Sequence, residues 1–163
     1  MTKAKALLER LREIAGAILW PILRDEPSRG ATSSSVDIRT MKWANVQLLL
    51  AEAFRLEGFL VKEIGGEAAD MVLTKDDRTY LVDCRHWRSL EVGANAAGAL
   101  YGAMGRLDAN GGFVVTAGKF TPDALEFARG LNVELIGGRE LARRLEMAKE
   151  TISGALPVRP LAR

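Results

Sequence analysis

The sequence contains very little cysteine and histidine, the residues that form disulfides and bind soft metals. It has one cysteine, Cys84, and one histidine, His86, among 163 residues. A single cysteine excludes an internal disulfide and is typical of a protein in a reducing compartment such as the cytoplasm. One cysteine and one histidine are also too few for the usual tetrahedral zinc site. These absences exclude a disulfide-stabilised scaffold and a structural zinc protein.

Excess charge and membrane-length apolar runs are also scarce. The net charge is +2, so the chain is no polycation, although local basic clusters can still contact phosphates. An uncharged apolar stretch runs only from Ile14 to Leu23 and contains Pro21, whereas about twenty residues are needed to span a bilayer. With 48% hydrophobic and 27% charged residues, the composition is that of a globular domain with a sizeable core.

The first forty residues differ from the rest of the chain. Residues 1–24 have apolar side chains at helical spacing and predict an amphipathic helix. Such a helix can pack on its own domain, on a second copy in a homodimer, or on a partner protein, and association with a membrane surface is an alternative. Residues 25–40 are rich in Ser, Thr, Gly and Pro and predict a flexible linker. We expect the main domain at residues 41–150, followed by a frayed tail at 151–163.

From residue 41 onward, helical and strand patterns alternate. The periodicity predicts helices at 41–57, 93–107, 122–129 and 138–149, and strands at 59–64, 71–74, 79–84, 112–116 and 132–136. Gly98, Gly102 and Gly105 recur within the second helix, and their spacing predicts the close approach of another backbone.

The order of these elements predicts a three-layer α/β/α domain with a mixed central sheet. The early strands form a hairpin, which is antiparallel. The later strands alternate with helices, which favours right-handed parallel crossovers and helices on both faces of the sheet.

The predicted hairpin concentrates charged side chains at one end. Alternation along the strand places Asp83 and Arg85 on one face and Cys84 on the other. The hairpin can bring Asp70 beside that pair. Two carboxylates can hold Mg²⁺, which activates water next to a phosphodiester. The alternative is that Asp70 ends a turn and Asp83 pairs with Arg85 or Arg78.

Four strings of the sequence resemble the Mrr-type restriction endonuclease catalytic domain, a branch of the PD-(D/E)XK nucleases. The strings are GFLVKEIGGEAADMVL, YLVDCRHWRS, ALYGAMGRLDANGGFVVTAGKFTPDALEFARG and VELIGGREL. The third is the most specific, because its helix-strand-loop-helix segment contains a Thr-x-Gly-x-Phe-Thr element. Together the strings cover about residues 41–145, and they imply a restriction-endonuclease-like fold.

The resemblance also implies roles for individual residues. Asp70 falls at the first metal-binding aspartate of the family, Asp83 where the family has Gln or Glu, and Arg85 at the position of its lysine. The family carries a glutamate in its first helix, and Gln47 lies in that neighbourhood. The resemblance thus implies catalysis by Asp70, Asp83, Arg85 and Gln47, with Mg²⁺ or Mn²⁺ held by the two aspartates and DNA as the substrate.

Two functions remain open because arginine replaces the lysine. Arginine keeps its charge and cannot act as a base, although it can bind a phosphate bidentately. The chain is then either a metal-dependent DNA endonuclease, active at full or reduced rate, or a catalytically degenerate nuclease fold that binds DNA or a protein. For contacts to the DNA backbone we expect Lys119 and Thr121, which precede a helix, together with Arg88 and Arg106.

Overall fold

The computed structural model describes residues 38–65 and 69–155. The amphipathic helix expected at 1–24, the linker up to residue 37 and the tail beyond residue 155 lie outside these ranges. Among the described residues, no helix is long and apolar enough to cross a membrane.

Four helices and seven strands form the described domain, and a short 3-10 turn precedes them. The turn is Ile38–Thr40, and the helices are α1 Trp43–Leu56, α2 Ala94–Leu107, α3 Pro122–Ala128 and α4 Gly138–Ala155. The strands are β1 Leu60–Ile64, β2 Met71–Lys75, β3 Arg78–Asp83, β4 Glu91–Val92, β5 Gly111–Val115, β6 Lys119–Phe120 and β7 Val133–Ile136.

The central sheet has five strands in the order β1-β2-β3-β5-β7. The first three strands pair antiparallel, and β3, β5 and β7 pair parallel. The mixed sheet expected from the element order is therefore confirmed. Because the parallel strands share a direction, the loops that follow β3, β5 and β7 meet at one edge, which we call the carboxyl edge.

Helices cover both faces of this sheet, as a three-layer domain requires. On one face, α1 and α4 pack together over a cluster that includes Phe54, Val82 and Phe113. On the other face, α2 packs over Leu81 and Val114, and α3 packs beside α2. Neighbouring residues of β3 and β5 thus enter opposite cores, which explains why these strands are apolar without alternation.

Arg144, a buried arginine on α4, joins this helix to the rest of the core through ion pairs. The Arg144 side chain is 9% exposed and forms ion pairs with Glu57, Glu134 and Glu140. Its guanidinium also lies 5.8 Å from the centre of the Phe54 ring. Since these partners come from the end of α1, from β7 and from α4 itself, the position of α4 is fixed by charge as well as by packing.

Three features differ from the sequence-based expectation. Residues 38–40, expected as linker, form the 3-10 turn, and Ile38 is buried in the core. Residues 151–155, expected as tail, continue α4, because Ile152 still has core to contact. The strands β4 and β6 were not expected, and they form a separate two-stranded parallel sheet. Two-residue strands carry no periodicity, so only their tertiary pairing reveals them.

The loops at the carboxyl edge are packed too tightly for a side chain at Gly118 or at Gly138. Ala117 N–H donates to Trp87 O at 2.7 Å, and Gly138 N–H donates to Gly118 O at 2.8 Å. A Cβ on Gly118 would lie 2.2 Å from Ser89 O. Glycine is therefore required here by the close approach of two backbones.

The glycines of α2 do not have the role expected from their spacing. A Cβ at Gly98 would meet only the Phe127 ring, at 3.7 Å, and at Gly102 only the Arg106 guanidinium, at 3.6 Å. At Gly105 nothing lies within 4 Å. No second backbone of the described chain approaches this side of α2, so that expectation is wrong within this domain.

The same substitution at two of these glycines should have opposite effects on stability. We expect Gly118→Ala to lower the free energy of unfolding by about 2 kcal/mol, because the new methyl group collides with backbone that cannot move away. Gly105→Ala should raise it by about 0.5 to 1 kcal/mol, because alanine is the better helix former and the site is open. Urea unfolding of both variants beside the wild type measures this, and equal effects would contradict it.

Candidate functional site

Asp83 is the last residue of β3 and points into the domain at the carboxyl edge. Its side chain is 1% exposed, while the chain leaves the strand for a turn at residues 85–88. A carboxylate at such a depth needs a cation or several hydrogen-bond donors, because burial disfavours its charged form. The groups that neutralise the Asp83 carboxylate or donate hydrogen bonds to it therefore determine the chemistry of this site.

Arg85 supplies these partners. Its backbone N–H donates to Asp83 Oδ1 at 2.9 Å, and its Nε lies 3.0 Å from Oδ1 and 3.1 Å from Oδ2. Its Nη2 makes a further hydrogen bond to Oδ2. Both carboxylate oxygens are thus held by one guanidinium, whose own side chain remains 56% exposed. Of the two cations considered from the sequence, Arg85 and not Arg78 pairs with Asp83.

Asp70 completes the group from the start of β2. Its N–H donates to Val82 O at 2.9 Å, and its Oδ2 accepts a hydrogen bond from Cys84 N–H at 2.6 Å. Asp70 is therefore hydrogen-bonded to Val82 and Cys84, the residues on either side of Asp83. Its charge also contributes to raising the pKa of Arg85. The structure brings Asp70, Asp83 and Arg85 together as expected, and we call them the carboxylate–arginine cluster.

Asp83 and Arg85 each stabilise the charged form of the other. Burial acts to raise the pKa of the Asp83 carboxyl, but the hydrogen bonds and the charge of Arg85, with a contribution from His86, lower that pKa overall. The hydrogen bonds and the charge of Asp83 raise the pKa of Arg85. Asp83 and Arg85 thus form an ionised pair at neutral pH.

Cys84 lies beside the cluster but belongs to the hydrophobic core. It is 1% exposed, and burial together with the charges of Asp70 and Asp83 raises the pKa of its thiol well above the usual value. A thiol that stays protonated is a poor nucleophile. Cys84 therefore contributes packing and its backbone N–H, as alternation along the strand predicted.

The start of α1 is attached to the loop after β3 by aromatic contacts. The rings of Trp43 and Trp87 lie 5.5 Å apart between centroids, and the Arg88 guanidinium lies 4.6 Å from the centre of the Trp87 ring. Arg88 also donates to Met41 O at 3.0 Å.

Gln47 is half-buried and lies one helical turn after Trp43. Its role in the site stays a prediction.

A basic cleft lies at the same carboxyl edge. It encloses about 550 Å³ and is lined by Lys119 together with Arg39, Arg139 and Glu91. Neither Lys119 nor Arg139 forms an ion pair with a carboxylate in the part of the chain that the structure describes. Sequence reasoning selected Lys119 but missed Arg139, although the Gly137-Gly138 pair before it signalled a tight turn into a helix.

The other two residues expected to contact DNA have different surroundings. Thr121 is the N-cap of α3, since its Oγ1 accepts a hydrogen bond from Ala124 N–H at 3.2 Å. Arg106 lies in the last turn of α2, and Asn110 just beyond this helix donates to Thr79 O at the opposite end of β3 from Asp83. The structure thus does not bring Arg106 to the carboxyl edge, and its contact to DNA stays a prediction.

The carboxylates of the carboxylate–arginine cluster are of the type that binds Mg²⁺ or Mn²⁺, provided that Arg85 moves away from Asp83. Both ions prefer carboxylate oxygens and complete their shells with water and phosphate oxygens. Within residues 38–65 and 69–155, no group of three or more His, Cys, Asp or Glu side chains converges, so Asp70 and Asp83 would be the protein ligands. Because Arg85 contacts both oxygens of Asp83, a divalent ion fits only when the guanidinium has moved away.

The fold and the cluster together define a domain of the restriction-endonuclease-like class. The family model Mrr_cat, described as a restriction endonuclease, matches residues 38–145, well over half of the sequence, and the chain therefore belongs to this family. This confirms the resemblance carried by the four sequence strings.

Solved structures include one similar chain, the MspJI restriction endonuclease in complex with a 27-mer oligonucleotide. The identity is 16% and the TM-score 0.41, and the alignment covers 93% of this chain and 35% of that one. The chain thus spans about a third of the length of that enzyme. No curated protein matches the chain.

The lowered pKa of Asp83 predicts a dependence of stability on pH. The Asp83–Arg85 pair stabilises the fold fully above the aspartate pKa of the unfolded chain, about 3.8, and this contribution is lost as the pH falls through the lower folded value. We expect the free energy of unfolding in EDTA to fall less steeply below about pH 4 in Asp83→Asn than in the wild type. Urea unfolding at several pH values measures both slopes, and parallel curves would contradict the prediction.

Proposed function

We propose that this chain is the nuclease domain of a protein that hydrolyses DNA phosphodiester bonds at the carboxylate–arginine cluster. The observation that carries the proposal is the convergence of Asp70, Asp83 and Arg85 at the carboxyl edge. Membership of the restriction endonuclease family supports DNA as the substrate. A location in the cytoplasm agrees with the single, buried cysteine.

Asp70 and Asp83 are the proposed ligands of Mg²⁺ or Mn²⁺. When bound, such an ion polarises a phosphoryl oxygen and lowers the pKa of water, so that hydroxide is available near neutral pH. Asp70 offers its half-buried carboxylate, which Cys84 N–H orients through one oxygen. Asp83 offers a carboxylate held rigidly at the end of a central strand.

Arg85 is the proposed ligand of the scissile phosphate. Its guanidinium carries a permanent charge and presents a planar fork that matches two phosphate oxygens. The side chain is 56% exposed, so a DNA strand can reach it from solvent. Arg85 cannot take a proton from water, so it acts by binding and by stabilising the charge that develops on the phosphate.

Gln47 is the proposed residue that orients the attacking water. It lies one turn after Trp43, whose ring contacts Trp87 in the loop that follows the cluster. An amide can both donate and accept hydrogen bonds, which suits the positioning of water. It cannot replace a carboxylate as a base, so we expect a slow reaction.

The DNA backbone is proposed to run along the carboxyl edge. Lys119 and Arg139 line the basic cleft there, and the exposed Arg88 lies over the Trp87 ring. Thr121 stands at the helix end beside Lys119. Cations that lack carboxylate partners are available to neutralise phosphates and to release counterions.

A second function is favoured by one observation. Arg85 already neutralises Asp83 through both oxygens, so the cluster is stable without any added ion. In that case the domain is a degenerate nuclease fold, and its arginine and basic cleft bind DNA or an acidic partner without cleaving it. Cleavage and binding assays distinguish the two functions.

Asp70→Asn should remove cleavage without disturbing the fold. Asparagine keeps an oxygen for Cys84 N–H but loses the charge that a divalent ion needs, so we expect plasmid cleavage in Mg²⁺ or Mn²⁺ to slow by more than about 100-fold. Asp77→Asn is the matched control, since Asp77 lies in the exposed β2–β3 turn at φ 59°, which asparagine tolerates.

The cleavage assay also separates the two functions when it includes Arg85→Lys. Cleavage by the wild type that Asp70→Asn loses supports the nuclease. If the wild type is inactive and Arg85→Lys is active, the fold is a nuclease that the arginine has switched off. Inactivity of both proteins contradicts the first proposal and favours the binding module.

Lys119→Ala should weaken DNA binding in a manner that depends on salt. Loss of one phosphate contact should lower the affinity several-fold and reduce the slope of log K against log salt by about 0.9. Lys62→Ala is the control, because Lys62 is an exposed lysine on β1, at the far side of the sheet from β7. Fluorescence anisotropy with a labelled duplex measures both, and equal slopes would refute the contact.

A further inference from the structure

We propose that Arg85 is a built-in competitor of the divalent ion, and that a DNA phosphate opens the metal site by drawing the guanidinium away from Asp83. This inference rests on the proposed function, because it assigns the order in which DNA and metal bind at that same cluster. It predicts that the free domain binds metal poorly and that DNA and metal bind cooperatively.

The Arg85 guanidinium and a divalent ion exclude each other on the carboxylate of Asp83. Three of the hydrogen bonds on the Asp83 carboxylate come from the Arg85 guanidinium, and together they cover both oxygens. The carboxylate is 1% exposed, so the remaining directions are closed by protein. A metal ion needs one of these same lone pairs, and binding it costs the full Asp83–Arg85 interaction.

The guanidinium of Arg85 can leave this pair, whereas the carboxylate of Asp83 cannot. Asp83 is fixed at the end of β3, whereas the Arg85 side chain belongs to the following turn and is 56% exposed. A phosphate at the carboxyl edge offers the guanidinium another anion with matching geometry. If Arg85 moves to the phosphate, Asp83 is left buried and unpaired, which favours a new cation.

Among the described residues, only Arg85 donates side-chain hydrogen bonds to Asp83. Asp70 accepts its hydrogen bond from Cys84 N–H, and Arg88 is bonded to Met41 O and stacked on Trp87. Lys119 and Arg139 line the neighbouring cleft and make no ion pair with Asp70 or Asp83. Release of Asp83 therefore depends on Arg85.

A metal titration without any catalysis tests the competition. The full chain is titrated with Mn²⁺ alone, and free Mn²⁺ is followed by electron paramagnetic resonance. We expect Arg85→Ala to lower the Kd for Mn²⁺ at least tenfold relative to the wild type. Arg78→Ala is the matched control: it removes the same charge from the other end of β3, and its Kd should equal that of the wild type.

The Mn²⁺ Kd values of the variants and the wild type show whether Arg85 competes with the ion. A Kd of Arg85→Ala within threefold of the wild type, or no Mn²⁺ binding by this variant, overturns it. An equal gain in Arg78→Ala also overturns it, because the effect would then be one of net charge. If Arg85→Ala fails to fold, Arg85→Lys replaces it, since a lysine cannot hold both oxygens as a fork does. Its Kd should then be at least threefold lower than that of the wild type.

A second titration tests the coupling to DNA. Addition of a duplex oligonucleotide, checked afterwards by gel to be intact, should lower the Mn²⁺ Kd of the wild type several-fold but not that of Arg85→Ala. By linkage, Mn²⁺ should tighten duplex binding by the same factor. A wild-type Kd that the duplex leaves unchanged overturns the coupling. Absence of cleavage alone would refute the nuclease function and leave the Mn²⁺ competition standing, so the two failures are distinguishable.

Discussion

The carboxylate of Asp83 is the group on which the rest of the site depends. It is charged, lies at the end of a central strand and is 1% exposed, so the protein must supply a cation beside it. Arg85 does so through a fork of hydrogen bonds two residues later in the chain. Burial, together with the charges of Asp70 and Asp83, also raises the pKa of the neighbouring Cys84 thiol.

The sheet topology determines what surrounds that charge. Because β3, β5 and β7 are parallel, their following loops converge at one edge, where backbones approach closely enough that Gly118 cannot carry a side chain. The start of α1 reaches the same edge through the Trp43–Trp87 contact. A cleft with three basic side chains thereby lies at the same edge of the sheet as the carboxylates of Asp70 and Asp83.

Arginine in place of lysine changes the balance of this pattern. A lysine is a point charge that can share a carboxylate with a metal ion, whereas the arginine fork covers both oxygens at once. Both oxygens of the buried Asp83 carboxylate are therefore occupied by a single guanidinium. The chain belongs to a restriction endonuclease family, and in the proposed function the fork of Arg85 on Asp83 couples the binding of metal to the binding of DNA.

The sequence by itself determined the α/β class, the mixed sheet and the hairpin that joins Asp70 to Asp83, because strand and helix periodicity and side-chain alternation are local properties. It did not predict β4 and β6, the extension of α4 to Ala155, or the position of Arg106 at the far edge of the sheet. It also suggested a backbone contact at Gly105 that the described domain does not make. These features depend on which distant segments pack together, and so does the choice of Arg85 over Arg78 as the partner of Asp83. Only the tertiary structure decides them, because the energy of a buried contact is set by neighbours that the local sequence does not specify.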